Sequence, residues 1–222
     1  MIDNDVEAKS GDTILDGTAA AVNSVGYKPN VVLINAGTND CREDWEIPST
    51  DDRMRALIKS LVDKEDMANS LIVLSTLLPS LDAKTSRNFP IVNEQYRNLV
   101  TIMRDEGVNI VLADLNPVEG QPNHGWIRLP TDFDPDGTHP NDGGYRKLAM
   151  IWYDAIEKAN WNGLIPSPVP VDKLNTGVCE KKPGDGIWAG NPTQAGSGED
   201  DGIYYHDSES SVQIVTTRSS SL

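Results

Sequence analysis

The sequence predicts an α/β domain in which a parallel sheet lies between layers of helices. Three apolar runs read as buried strands, and amphipathic stretches at helical spacing alternate with them. Strand–helix alternation of this kind gives a parallel sheet with both faces covered, and in such sheets function gathers at the carboxyl ends of the strands.

Residues Thr13 to Ser24 form a weak helical pattern ahead of the first strong strand, Val31-Val32-Leu33-Ile34-Asn35-Ala36, which Gly37 closes. Thr50 to Lys64 is a helix, with Met54, Leu57, Ile58, Leu61 and Val62 at helical spacing behind the cap Pro48-Ser49-Thr50 and the first-turn acids Asp51 and Asp52. The second strand runs from Ser70 to Leu77 and stops before Pro79. A helix over Val92 to Glu106 sets Tyr96, Leu99, Val100 and Met103 on one face, with Gly107 as its stop. The third strand, Asn109 to Leu115, ends at Asn116-Pro117, and a last helix over Asp142 to Lys158 carries Tyr145, Leu148, Ala149, Trp152 and Ile156 in period. The composition then shifts. A Gly- and Pro-rich stretch (NGLIPSPVP) follows Trp161, so residues 1–162 read as the domain and 163–222 as a linker and an irregular or short-strand tail, partly disordered near Arg218-Ser219-Ser220-Ser221.

Charge narrows the partners. With 19 Lys and Arg against 34 Asp and Glu, the formal charge is −15, which would repel a phosphate backbone and excludes nucleic acid as a partner. No run approaches the roughly 18 apolar residues of a membrane span, and no signal-peptide pattern opens the chain. Two cysteines, Cys41 and Cys179, leave open a disulfide or two thiols. No feature fixes an oligomeric state.

The strongest chemical signal is Asp136-Gly137-Thr138-His139-Pro140-Asn141-Asp142 (DGTHPND), directly before the last helix. A carboxylate three residues ahead of a histidine on a Gly/Pro-shaped turn can fold back onto Nδ1–H, leaving Nε2 as a general base. The alternative is an ordinary turn. Asp132, Asp134 and Asp136 before Gly137 also resemble the start of a calcium loop, but its bidentate acid at the twelfth position is here Gly143. The three histidines are scattered without metal-ligand spacing, which argues against zinc. The second signal is Gly37-Thr38-Asn39-Asp40 at a strand's carboxyl end, where the Asn39 amide could donate to an oxyanion or merely close a turn.

In that order, NAGTND and DGTHPND resemble blocks III and V of the SGNH/GDSL hydrolases, and Val6 to Ile14 (VEAKSGDTI) resembles block II. The resemblance covers about residues 5–160, and its wording is closest to secreted fungal esterases of carbohydrate-type esters. It implies a three-layer, flavodoxin-like α/β/α sandwich, an extracellular protein, no cofactor, and a small ester or acylated carbohydrate as substrate. By carry-over, His139 is the base, Asp136 its orienter, and Asn39 and the Gly11 N–H the oxyanion donors. His124, just ahead of the Asp-His block, is a substrate-cleft candidate; His206 has no identifiable partner.

The family's block I, a Gly-Asp-Ser that supplies the nucleophile, has no counterpart here. Gly11-Asp12-Thr13 looks like it with Thr for Ser, but its spacing to Asn39 is that of block II to block III, and the preceding IDNDVEAKS is too polar for a central strand. Ser10 and Cys41 have nothing to activate them, and no Gly-x-Ser-x-Gly elbow occurs. The first strand and helix of the fold are therefore expected to be missing, the chain being an incomplete version of a longer one. Loss of that strand predicts unpaired backbone on two neighbours, so that the sheet either closes up with the block II strand moved inward or folds poorly. Two functions follow: a carboxylic-ester hydrolase lacking its serine, or a non-catalytic protein that binds a glycan or ester. A calcium-binding module is a third.

Overall fold

In the computed structural model, residues 3–169 and 213–218 are described. Their strands are β1 (Asp3–Val6), β2 (Val31–Asn35), β3 (Leu71–Ser75), β4 (Ile110–Ala113) and β5 (Gln213–Arg218). The main helices are α1 (Ile14–Ser24), α2 (Thr38–Glu43), α3 (Thr50–Val62), α4 (Ala83–Asp105) and α5 (Asp142–Trp161). The sheet order is β1-β5-β2-β3-β4.

Strand alternation sorts the core into two layers. Val32 and Ile34 of β2, with Ile72, Leu74 and Ile110, pack under Ile14, Leu57, Ile58, Tyr96 and Val100 of α1, α3 and α4. Val31, Leu71, Val73 and Ala113 face the other way, onto Ile151, Trp152, Ala155 and Ala159 of α5. All five residues of β3 are buried, as expected of a strand covered on both faces. Each large apolar side chain so buried contributes about 1.5–3 kcal/mol.

β2, β3 and β4 are parallel, with Val31 opposite Leu71 and Ile72 opposite Ile110. The expectation of a wholly parallel sheet is corrected at one strand: β5, from the tail, runs antiparallel to both β1 and β2. Neither expected outcome for the gap beside β2 occurs. Backbone groups on the two flanking strands must be paired, and the tail supplies the strand that does so. The polar Asp3–Val6 segment becomes an edge strand, with one ladder open.

Two helix expectations are also revised. α4 begins nine residues before Val92, at Ala83, because Asp82 caps it: its Oδ1 accepts the Thr85 N–H at 2.7 Å. Pro90 lies inside that helix and removes one backbone donor without ending it, since Val92, Tyr96, Leu99 and Val100 bury one face. Ser49 makes no side-chain cap for α3; its hydroxyl donates to the Glu46 carbonyl instead. α5 starts at Asp142 as expected, capped by Asn141 Oδ1 on the Gly144 N–H at 3.0 Å, and extends to Trp161.

Candidate active site

The carboxyl edge of the parallel strands carries both sequence motifs. After β2 the chain passes through Gly37 (φ +118°) into α2. Only glycine fits there: a Cβ would meet the Tyr96 hydroxyl at 2.7 Å, and that hydroxyl donates to the Ala36 carbonyl at 2.8 Å. Asn39 therefore lies in the first turn of a short helix rather than in a plain turn. Its Nδ2 donates to the Asp12 carbonyl at 2.8 Å, and the residue is 2% exposed. The neighbouring Asp40 is fully buried; Oδ2 accepts the Ile14 N–H at 3.0 Å and Oδ1 accepts Arg53 Nη2 at 3.1 Å. The structure thus joins the Gly11 turn and the Asn39 turn through Asp12 and Ile14. Gly11 itself has φ +81°.

Thr13 is the N-cap of α1 in a capping box with Asp16. Its N–H and its hydroxyl both donate to Asp16 Oδ2, at 3.0 and 2.8 Å. A hydroxyl so committed is a cap, not an activated nucleophile.

The second motif forms the acid–base pair. Asp136 Oδ2 meets His139 Nδ1 at 2.5 Å, while Oδ1 accepts the Thr138 and His139 N–H groups at 2.8 and 3.0 Å. Burial pushes the Asp136 carboxyl up, but the bonds from the His139 ring and the two N–H groups outweigh it and hold it below the usual aspartate range. An ionised Asp136 fixes the tautomer with the proton on Nδ1, so Nε2 presents its lone pair. Among the described residues no hydroxyl is bonded to Nε2.

His139 lines a cleft with Asn35, Thr38, Leu78, Pro79, Ser80, Thr138, Tyr145 and Trp152. The sequence named several of these as strand, helix or motif residues but none of them as cleft lining, because they converge from separate loops and helices. His124 is not brought there; it is exposed, with Nδ1 on the Pro117 carbonyl at 2.8 Å. Cys41 is a buried free thiol that burial, then Asp40, pushes up to about 12, so it is no nucleophile. The suggested calcium loop is otherwise engaged: Asp132 accepts Lys147 Nζ at 2.7 Å on both oxygens and the Arg128 N–H at 2.7 Å. Among the described residues no three potential ligands cluster to hold a metal ion. Cys179 and His206 lie outside the described residues. No helix among the described residues is long and apolar enough to cross a membrane.

The Asp136–His139 pair thus stands at the carboxyl edge of the sheet, and the comparisons give the family. The chain belongs to the GDSL-like Lipase/Acylhydrolase family, which it matches over residues 1–147. It is 28% identical over 134 residues to a multidomain esterase of Ruminococcus flavefaciens, a match covering 59% of this chain and 16% of that protein. The chain therefore spans only a small part of that relative's length. Among solved structures it resembles an acetyl esterase mutant crystallised with acetate (TM-score 0.57, 17% identity, 69% of this chain and 70% of that one). It also resembles a carbohydrate esterase family 3 protein from Talaromyces cellulolyticus (0.56, 17%, 68% and 70%). A third likeness is to a family 3 carbohydrate esterase of Clostridium thermocellum (0.54, 22%, 70% of each). At these identities the likeness is one of fold: an α/β domain with a parallel sheet.

Proposed function

We propose that this chain is a carboxylic-ester hydrolase domain acting on small esters or acylated carbohydrates outside the cell. The observation that carries the reading is the Asp136–His139 pair, 2.5 Å apart with Nδ1 engaged, in a cleft at the carboxyl edge. In the reaction, His139 Nε2 takes the proton of an attacking hydroxyl, and Asp136 stabilises the imidazolium that results. By the family resemblance the oxyanion of the tetrahedral intermediate falls to Asn39 and the Gly11 N–H, although Asn39 Nδ2 here donates to the Asp12 carbonyl at 2.8 Å. Collapse expels the alcohol, which takes the proton back from His139 Nε2, and water then hydrolyses the acyl group left on the attacking oxygen. The attacking hydroxyl is the part that the described residues do not offer to Nε2. Turnover by this polypeptide alone is therefore expected to be slow but above background. A p-nitrophenyl acetate panel tests this. A rate above background that disappears in His139→Ala supports hydrolysis; a background rate unchanged by that substitution rules it out.

The second reading is a non-catalytic protein that retains the cleft for a glycan or ester. It is favoured by the capping role of Thr13 and by the absence of a hydroxyl at Nε2 among the described residues. It predicts that acetylated sugars raise Tm without being hydrolysed; release of acetate would refute it.

A further inference from the structure

The turn that carries Asp136 and His139 is exposed at Asp134–Asp136 and closes inward from Gly137, where one loop from a distant part of the chain grips it. That loop is Ser80–Asp82, between β3 and α4. Ser80 Oγ and Thr138 Oγ1 are 2.8 Å apart, and the Leu81 N–H donates to the Gly137 carbonyl at 2.8 Å. The Leu81 side chain covers Gly137 so closely that a Cβ there would meet it at 2.5 Å. Ser80 is 3% exposed, and its Oγ also accepts the Asp82 N–H at 3.1 Å.

The geometry points to Ser80 and Leu81 as positioning residues for the acid–base pair, an assignment that rests on the hydrolase reading above. A connected chain of hydrogen bonds supports it. The α4 cap residue Asp82 donates its N–H to Ser80 Oγ, which holds Thr138 Oγ1. The Thr138 N–H donates to Asp136 Oδ1, and Asp136 Oδ2 holds His139 Nδ1. Fixing Thr138 fixes the carboxylate plane, and the carboxylate fixes the imidazole. Ser80 is no substitute nucleophile, because its oxygen is taken up by Thr138 and the Asp82 N–H. The turn's other anchors, Asp134 N–H to His139 O and Gly137 N–H to Asp134 O, are local. At its base the turn is pinned as well, by the Asn141 N–H on the Asp132 carbonyl and by Asn141 capping α5, so the Ser80–Leu81 grip is what ties the other side of the turn, at Gly137 and Thr138, to the loop after β3.

The test uses the full chain and the low-field proton of His139 Nδ1–H in NMR spectra near neutral pH, assigned by its loss in His139→Ala. Ser80→Ala and Thr138→Val should speed its exchange with water by about tenfold or broaden it away, whereas Thr138→Ser, which keeps the hydroxyl, should preserve it. Thr138 is half-buried, so Thr138→Val remains informative if Ser80→Ala does not fold. Unchanged exchange in folded Thr138→Val would overturn the assignment. So would an equal acceleration at the core amides of Ile72 and Leu74, which would make the effect global. A chain with no esterase activity still gives this readout, so the two readings fail separately.

Discussion

The two halves of the site are built in opposite ways. The Asp12–Ile14 and Asn39–Asp40 corner is buried and held by bonds between residues 26 and 27 positions apart. The Asp136–His139 pair is local, three residues apart, with the Asp136 side chain 47% exposed. In the first, the motif residues cap helix ends and pair a buried charge; in the second, they orient a ring. The motifs shared with the hydrolase family thus divide into a part tied into the buried core and a part held by a local turn.

Substitutions can break or sharpen this contrast. The largest effect is expected for Asp40→Ala. It leaves the Arg53 guanidinium and the Ile14 N–H without their carboxylate and should cost about 3 kcal/mol in urea unfolding. A cost below about 1 kcal/mol would erase the contrast. Next comes the buried pair beside the site. Asp132→Asn should cost about 1–2 kcal/mol, because Lys147 and the Arg128 N–H lose a charged acceptor.

The same carboxyl sets an acid limit. Burial pushes Asp132 up, but Lys147 and Arg128 outweigh it and hold it below the ordinary aspartate range. Its folded value is depressed, so its contribution is fully present above the unfolded value of about 4 and fades as pH falls through the folded one. Asp136 has the same sign but is far more exposed, so its contribution is largely screened. Unfolding followed from pH 6 down to about pH 3 should flatten in Asp132→Asn more than in Asp136→Asn; the reverse order would undo the buried-versus-exposed distinction. Thr13→Ala should cost about 1 kcal/mol, the loss of an N-cap. The smallest stability change belongs to His139→Ala, within about 0.5 kcal/mol, though it removes the histidine that lines the cleft.

Much of this was legible in the sequence, and the reasons are local. Val31–Asn35 and Leu71–Ser75 are apolar runs of strand length, and α3 and α5 carry period-3.6 faces. Asp136 and His139 sit close enough in the chain for their pairing to be read directly. What could not be read depends on distance. Ser80 and Thr138 are 58 residues apart, and nothing in either segment names the other. The direction of β5 was equally hidden: Ile214, Val215, Thr216 and Thr217 mark a β-branched run, but a run has no arrow. The start of α4 was missed because Pro90 masks a helix whose true signal, Asp82 three residues before Thr85, lies further upstream.

The tail strand also imposes an order of events. β1 has β5 as its one partner in the sheet, with Asp3 opposite Arg218, and β5 in turn leans on β2, with Val31 opposite Thr217. Asp3–Val6 therefore cannot pair until Gln213–Arg218 is in place. The β2–β3–β4 sheet and its helices assemble from nearer neighbours, whereas the β1 edge needs a far longer loop to close and joins last. Until then β2 shows an open edge, and that interval is when this protein is most exposed to pairing with the wrong strand.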